Sequence, residues 1–454
     1  MESKIHSTFI RTCINMSIML LAAIMIFGGS TQTAIAAHAA LQIDISGNKR
    51  TKDSYIEKLS HICLAKFDEE RARALSTDAE VLKRAKQLHL QRCLNESGLF
   101  ASVEVKELDA EKVVILVRDK WSFLVLPSYI SGGNEESVVW GLLFFDFNLA
   151  GKGQLLGAIY QKQPESNLDS YSLLYDAPYL DKDGKYGFSM AIFDRKQNYF
   201  SYQGIDWSYR VTEHFRFIWL RLKHRITPKF SLTYGYAPTF LGFSDEEYRP
   251  PSDQIIENDA QSIENDAQSI QSITLAPEWS NLERRYYYDK GFRIDGVLYH
   301  QLSNSQKDDP DTALEFELYA GIPTTKQQVF QWGLQGGTRD HVERYNSWRT
   351  GGIIGARGVL DNGLWNQHYL ISSFDYQVPI TQGRYGYWNY GPFFDAGYLW
   401  NVQNNPNKEL SYYSYGISSY VHLRQVNVPA FGVSIGSVDL YEGLFAQFFI
   451  GFRF

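Results

Sequence analysis

The chain has 454 residues, a net charge of −7, a mean hydropathy of −0.31 and 15% aromatic residues, among them 30 Tyr and 28 Phe. The acidic balance argues against a general nucleic-acid binder, which carries a basic face. So many aromatics without long apolar runs argue against a helical membrane protein. They suit a β-barrel, whose polar lumen residues interleave with lipid-facing ones, better than the alternative, a large soluble β-sandwich.

Residues 1–39 read as a signal peptide. Lys4 and Arg11 form a positive start, 14–27 is an apolar stretch broken by Asn15 and Ser17, and Ala37-His38-Ala39 is a cleavage pattern. The mature chain is expected to begin near Ala40; a retained anchor is the alternative. Cys13 falls in this segment and lacks a lipoprotein box. That leaves Cys63 and Cys93, which an oxidising compartment would bond. Two buried thiols are the other reading.

Residues 40–120 differ from the rest. Residues 41–45 alternate and end at Ser46-Gly47-Asn48, a turn signal. Thr51 or Asp53 can cap a helix running to about Ser60. A second, longer helix starts near Asp78, with Val81, Leu82, Ala85, Leu88 and Leu94 at helical spacing, and Gly98 stops it. Two strands, 101–107 and 112–118, follow. Strand, helix, helix, strand, strand predicts an α+β module with three strands under two helices.

The pieces Ile45-Ser-Gly-Asn48, Gly98-Leu-Phe100 and Ser102-Val-Glu-Val105 resemble a POTRA domain, present in one copy. The resemblance implies a periplasmic docking module whose sheet edge accepts an extended client segment. Both 112–118 and 101–107 are candidate docking strands. A rigid spacer is the plainer reading.

Residues 121–454 carry recurring period-2 segments: Ile205, Trp207 and Tyr209 against Asp206, Ser208 and Arg210; Leu314, Phe316 and Leu318 against Glu315 and Glu317. The expected fold is an all-β transmembrane barrel of about 16 antiparallel strands behind the α+β module. Counting back from the C-terminus gives segments from 442–454 to 138–149, including 184–194 and 198–209 as separate strands. Residues 121–131 would make the count odd, so either two segments are one strand or that piece is not a full strand. The seam is expected between 138–149 and 442–454. The connections 341–365 and 242–270 are the longest and should share the outer end. The second holds a duplication, 256–262 repeated as 263–269, which reads as a loosely packed neutral expansion.

The last ten residues place Ala446, Phe448, Ile450, Phe452 and Phe454 on one parity. Such an aromatic-ended strand is an expected C-terminal barrel signal carried by Phe448, Ile450, Phe452 and Phe454.

Residues 351–358 end in Ala356-Arg357-Gly358, and 393–397 read Phe-Phe-Asp395-Ala-Gly397. Together they resemble two signatures of the BamA/TamA superfamily, also called the bacterial surface antigen family. The resemblance implies that the sixth external loop folds into the lumen and that its Arg-Gly tip meets the F-x-D-x-G wall motif. Arg357 would pair with Asp395, Gly358 would allow the tight tip, and Gly397 would let the loop approach the wall. Ala356 and Val359 depart from the family's usual Val and aromatic. Asn148-Leu-Ala-Gly151-Lys-Gly153 resembles the family's turn after an early strand.

The same resemblance implies insertion or translocation of polypeptides at the outer membrane. The expected partners are outer-membrane lipid, a client polypeptide at the POTRA edge, and periplasmic chaperones. Nucleic acid, cofactors, metal and catalytic residues are not expected. Gly432-Val-Ser434-Ile-Gly436 fits a nucleophile-elbow pattern but lies in a strand with no following helix, which an elbow needs. Two rivals remain: a passive or structural barrel, and a hydrolase built on Ser434.

Overall fold

The computed structural model describes residues 42–71, 79–108, 112–130, 139–164, 167–203, 206–248, 268–285, 287–305, 311–325, 327–340, 348–350, 357–359, 364–383, 386–402, 408–423, 431–440 and 443–450. The proposed signal peptide lies outside them, as do Phe452 and Phe454. From Ile43 onward the chain forms one compact unit.

The N-terminal part is the α+β module. It comprises β1 (Gln42–Ser46), α1 (Asp53–Arg71), α2 (Ala79–Glu96), β2 (Phe100–Leu108) and β3 (Lys112–Asp119). In β3, Val113, Ile115 and Val117 alternate inward, Val117 and Ile115 stand opposite Val103 and Val105 of β2, and Ile56, Leu59, Leu90 and Leu94 of the helices are buried as well. Each such side chain contributes about 1.5–3 kcal/mol by burial. Cys63 and Cys93 are bonded, stapling α1 to α2.

Four local expectations change. α1 runs to Arg71, well past Ser60. Thr51 does not cap it; its hydroxyl donates to Asp119 instead (2.6 Å). The buried stripe of α2 is Leu90 and Leu94, while Val81, Leu82 and Leu88 are exposed. The sheet order is β1-β3-β2, so 112–118 is the central strand, hydrogen-bonded on both sides, and cannot be a docking edge. The edge strands are β2 and β1.

The rest is a closed antiparallel barrel. Its strands are β4 (Phe123–Ile130), β5 (Val139–Leu149), β6 (Gln154–Gln163), β7 (Leu168–Ala177), β8 (Tyr186–Gln203), β9 (Asp206–Arg225), β10 (Phe230–Tyr248), β11 (Gln268–Ser280), the short β12 (Glu283–Arg285), β13 (Tyr288–Asn304), β14 (Thr312–Pro323) and β15 (Val329–Arg339). A small two-stranded sheet, β16 (Trp348–Thr350) with β17 (Leu364–Asn366), stands apart. The wall then resumes with β18 (His368–Gln382), β19 (Gly386–Trp400), β20 (Glu409–Leu423), β21 (Phe431–Val438) and β22 (Phe445–Ile450). Among the described residues the wall has 16 strands, with β12 prolonging the β11 side, and β22 neighbours β4.

The odd count resolves in one place. Segments 184–194 and 198–209 are not two strands: β8 runs unbroken through Gln203, and β9 pairs with it along its whole length. Residues Phe123–Ile130 are a full wall strand and are the first one. The seam therefore joins β22 to β4, not to 138–149. The duplicated stretch lies outside the described residues except Gln268 and Ser269, which open β11.

Because successive strands run antiparallel, connections alternate between the two ends of the barrel. The β5–β6 and β7–β8 turns share one end with the module and touch it. The Lys52 N–H donates to the Gly151 carbonyl (2.9 Å) and Arg50 pairs with Asp146 (2.8 Å). Asn148 donates to the Thr51 hydroxyl (2.8 Å), and the Lys58 ammonium donates to the Tyr179 carbonyl (3.0 Å). The turn at 148–153 is thus where the module seats. Gly151 has φ +71°, and a Cβ there would stand 2.3 Å from the Arg50 carbonyl oxygen. No larger residue fits that approach.

Candidate functional site: the loop tip inside the lumen

Alternation along four neighbouring strands sets which side chains face the lumen. In β18 these are Tyr369, Ile371, Ser373, Asp375 and Gln377, and in β19 they are Asn389, Gly391, Phe393, Asp395, Gly397 and Leu399. β20 supplies Tyr412, Ser414, Ser418 and Tyr420, and β21 supplies Gly432, Ser434 and Gly436. Register then forms rows across the wall. Asp375 lies opposite Phe393, Phe393 opposite Gly416, and Gly416 opposite Gly436.

The tip, residues 357–359, reaches this face from the connection between β15 and β18. Arg357 is completely buried. Its Nε and Nη2 donate to the two oxygens of Asp395 (2.9 and 2.7 Å), a bidentate pair. The Arg357 backbone N–H adds a third bond to Asp395 (2.8 Å). Nη1 donates to Asp375 (2.7 Å) and to the Ser418 hydroxyl (3.1 Å), and Nη2 approaches the Phe374 carbonyl (3.4 Å). The guanidinium also stacks 3.8 Å from the Phe393 ring centroid.

Two carboxylates thus face one cation out of contact with water. Ion desolvation costs several kcal/mol per group, and only dense hydrogen bonding in good geometry offsets it. The wall supplies that density. The Tyr420 hydroxyl donates to Asp375 (3.0 Å), and the hydroxyls of Ser418 and Ser434 are 2.7 Å apart.

Small residues make the space. A Cβ on Gly416 or Gly436 would meet the Phe393 ring at 2.8 and 3.0 Å. Gly358 has φ +81°, and a Cβ there would stand 2.4 Å from the Phe445 ring. Val359 stands where an aromatic was the family habit. It joins a buried cluster with Tyr369, Ile371, Leu399, Val402, Tyr412 and Val438. Gly397 does not admit the loop directly: the ring of Tyr412 lies on it, 2.2 Å from a Cβ built there.

The structure therefore brings together Arg357, Gly358 and Asp395, and places Gly397 one step away. Phe448 and Ile450 lie in β22. Sequence reasoning missed Asp375, Ser418 and Tyr420, although each sits at inward parity on a recognised strand. Ser434, set aside as a nucleophile, is buried in β21 with its hydroxyl 2.7 Å from that of Ser418, and among the described residues the next element is β22. Among the described residues no group of His, Cys, Asp or Glu is arranged to hold a metal.

A closed antiparallel barrel with an inward-folded loop tip and a small α+β module defines a barrel of the outer-membrane class with an N-terminal α+β appendage. The Omp85 superfamily domain matches residues 148–433, more than half of the chain, and the chain belongs to that superfamily. At the family level this means protein insertion or secretion at the outer membrane.

Solved structures share the fold. BamA from Haemophilus ducreyi lacking POTRA domains 1–3 has a TM-score of 0.53 at 16% identity, covering 92% of this chain and 84% of that one. CdiB from Acinetobacter baumannii gives 0.52 at 11%, covering 90% and 73%. CdiB from Escherichia coli gives 0.51 at 9%, covering 92% of each. No curated protein matches the chain.

Proposed function

We propose that this protein inserts or translocates client polypeptides at the bacterial outer membrane, with a single POTRA module in the periplasm as the docking site. The observation that supports this most is the lumen lock. Arg357 and its two carboxylates hold the loop tip to β18, β19 and β20, and Gly358 carries it onto Phe445 of β22, one side of the seam. A passive pore needs no such link between an inserted loop and the closing strand.

In this reading the client pairs along an edge of the module's sheet, most simply along β2, by strand addition. Outer-membrane lipid surrounds the barrel, and periplasmic chaperones deliver the client. No catalytic chemistry is involved. The free energy comes from client folding, and the barrel opens sideways between β22 and β4. Residues 1–39 direct export, and the C-terminal aromatics Phe448, Phe452 and Phe454, with Ile450, direct insertion of the barrel itself.

The test is a cysteine pair across β22 and β4 in the full chain, reconstituted in lipid vesicles with an unfolded outer-membrane barrel as client. Oxidation should abolish client insertion and reduction should restore it. Insertion that proceeds unchanged with the seam closed rejects lateral opening.

A further inference from the structure

The turn between β11 and β13 does not stay on the rim. Tyr287, one residue before β13, is almost fully buried. Its ring packs with Tyr288 and Val329, lies 5.8 Å from the ring of Tyr387 and 5.5 Å from that of His422, and its hydroxyl points to the carbonyls of Gln327 and Gln377. Gln377, Tyr387 and His422 belong to β18, β19 and β20, separated from β13 by β14 and β15. One side chain on a β13 turn meets all three only if the turn folds inward across the mouth.

The site it fills is built. Gln377 donates to Gln331 (2.7 Å), Asn389 donates to Gln377, and Gln331 donates to the Tyr319 hydroxyl (2.9 Å). Gln331, Gln377 and Asn389 are all buried. A wide barrel of this strand number would otherwise leave an aqueous channel.

The same turn is tied to the module. Glu283 of β12 lies 3.8 Å from Arg92 of α2, both half-exposed. On the lumen side the His422 ring stacks on Tyr420 (6.3 Å), whose hydroxyl bonds Asp375, a partner of Arg357.

We infer that the β11–β13 turn is a latch that closes the module end of the lumen, with Tyr287 as its bolt and the Arg92–Glu283 pair as its link to the soluble module. The lumen then has two closures: the Arg357 tip from one end and Tyr287 from the other. Movement of α2, as when the module is occupied, draws on Glu283 and withdraws the ring. The latch concerns access to the lumen and holds whether or not the seam opens.

Contiguity alone does not establish coupling, so the test separates bolt from link. Purified full-length protein is placed in planar bilayers and its ionic conductance is recorded. Tyr287→Phe keeps the ring and should behave as wild type. Tyr287→Ala should raise the open probability or the mean conductance several-fold. Glu283→Lys should raise the opening frequency, and adding Arg92→Glu to it should restore quiet traces by exchanging the charges. Folding of each variant is checked by the heat-modifiable gel shift of intact barrels. Folded Tyr287→Ala with wild-type conductance sinks the bolt. Should that variant not assemble, Glu283→Lys with wild-type conductance sinks the latch by itself, because its position is on the surface.

Discussion

Phe445, the first residue of the last strand, lies against Gly358, at the tip of the loop that enters the lumen. A single Cβ on that glycine would stand 2.4 Å from the ring, in a backbone conformation of φ +81°. Gly358→Ala should therefore destabilise the inserted tip by roughly 2–4 kcal/mol, combining left-handed strain with overpacking. The measurement is protease cleavage of the 341–365 connection in intact cells, which should rise. Phe445→Ala in the same chain should recover part of the loss, since it removes the clash and leaves only the strain.

Removing Arg357 leaves Asp375 and Asp395 buried without their cation. Arg357→Ala should cost about 3–5 kcal/mol, and Arg357→Lys only somewhat less, because a lysine cannot reproduce the fork onto Asp395. Asp395→Asn should be worse than Asp375→Asn. Asp395 accepts from Nε, Nη2 and the tip backbone, whereas Asp375 accepts one guanidinium bond and has Tyr420 beside it. Urea titration of folded barrel, read on gels, gives the order. Equal effects of the two Asn variants would contradict it.

Ser434→Ala separates a wall residue from a nucleophile. Its hydroxyl only backs Ser418, so the loss should be about 1 kcal/mol of barrel stability with transport intact. Loss of a measurable hydrolytic activity on this substitution would establish the enzyme reading instead.

The module's seat should be acid-sensitive. Burial alone would raise the Asp119 carboxyl, but the Thr51 hydroxyl and the backbone N–H groups of Arg50, Lys49 and Thr51 outweigh it and hold the group below its ordinary value. A carboxyl depressed in this way adds stability above its unfolded pKa of about 3.9, and that stability is lost as pH falls through the folded value. Hydrogen exchange of residues 48–52 should therefore accelerate below about pH 4, beyond the intrinsic rate, and Asp119→Asn should show the faster exchange already at neutral pH.

Reduction of the Cys63–Cys93 bond, which spans 30 residues, should cost the module roughly 3–4 kcal/mol by the chain-entropy argument. The expected result of Cys63→Ser with Cys93→Ser is earlier proteolysis of α1 and α2 with an unchanged gel shift of the barrel. A barrel that fails together with the module would show that the two do not fold separately.

Much of the wall was legible because period-2 alternation is a local signal. Leu314, Phe316 and Leu318 against Glu315 and Glu317 need no partner to be recognised. Length was the weak point: nothing in Asn198–Arg210 says that it merely continues two long strands, since pairing partners set where a strand ends. Sheet order was likewise hidden, as β3 reads like β2 until register places it in the middle. In the site, Arg357 and Asp395 stood out through a resemblance. Asp375, Ser418 and Tyr420 did not, because their meaning lies in cross-strand rows, which no single segment contains.

Only Lys120, Trp121 and Ser122 separate β3 from β4, and they are fastened rather than slack. The Lys120 N–H donates to the Leu99 carbonyl (2.8 Å), and the Ser122 carbonyl accepts from the Phe147 N–H (2.9 Å). Both ends of the link between module and wall are thus hydrogen-bonded. Mechanically, the module is the handle of β4, the first wall strand and the one that neighbours β22 at the seam.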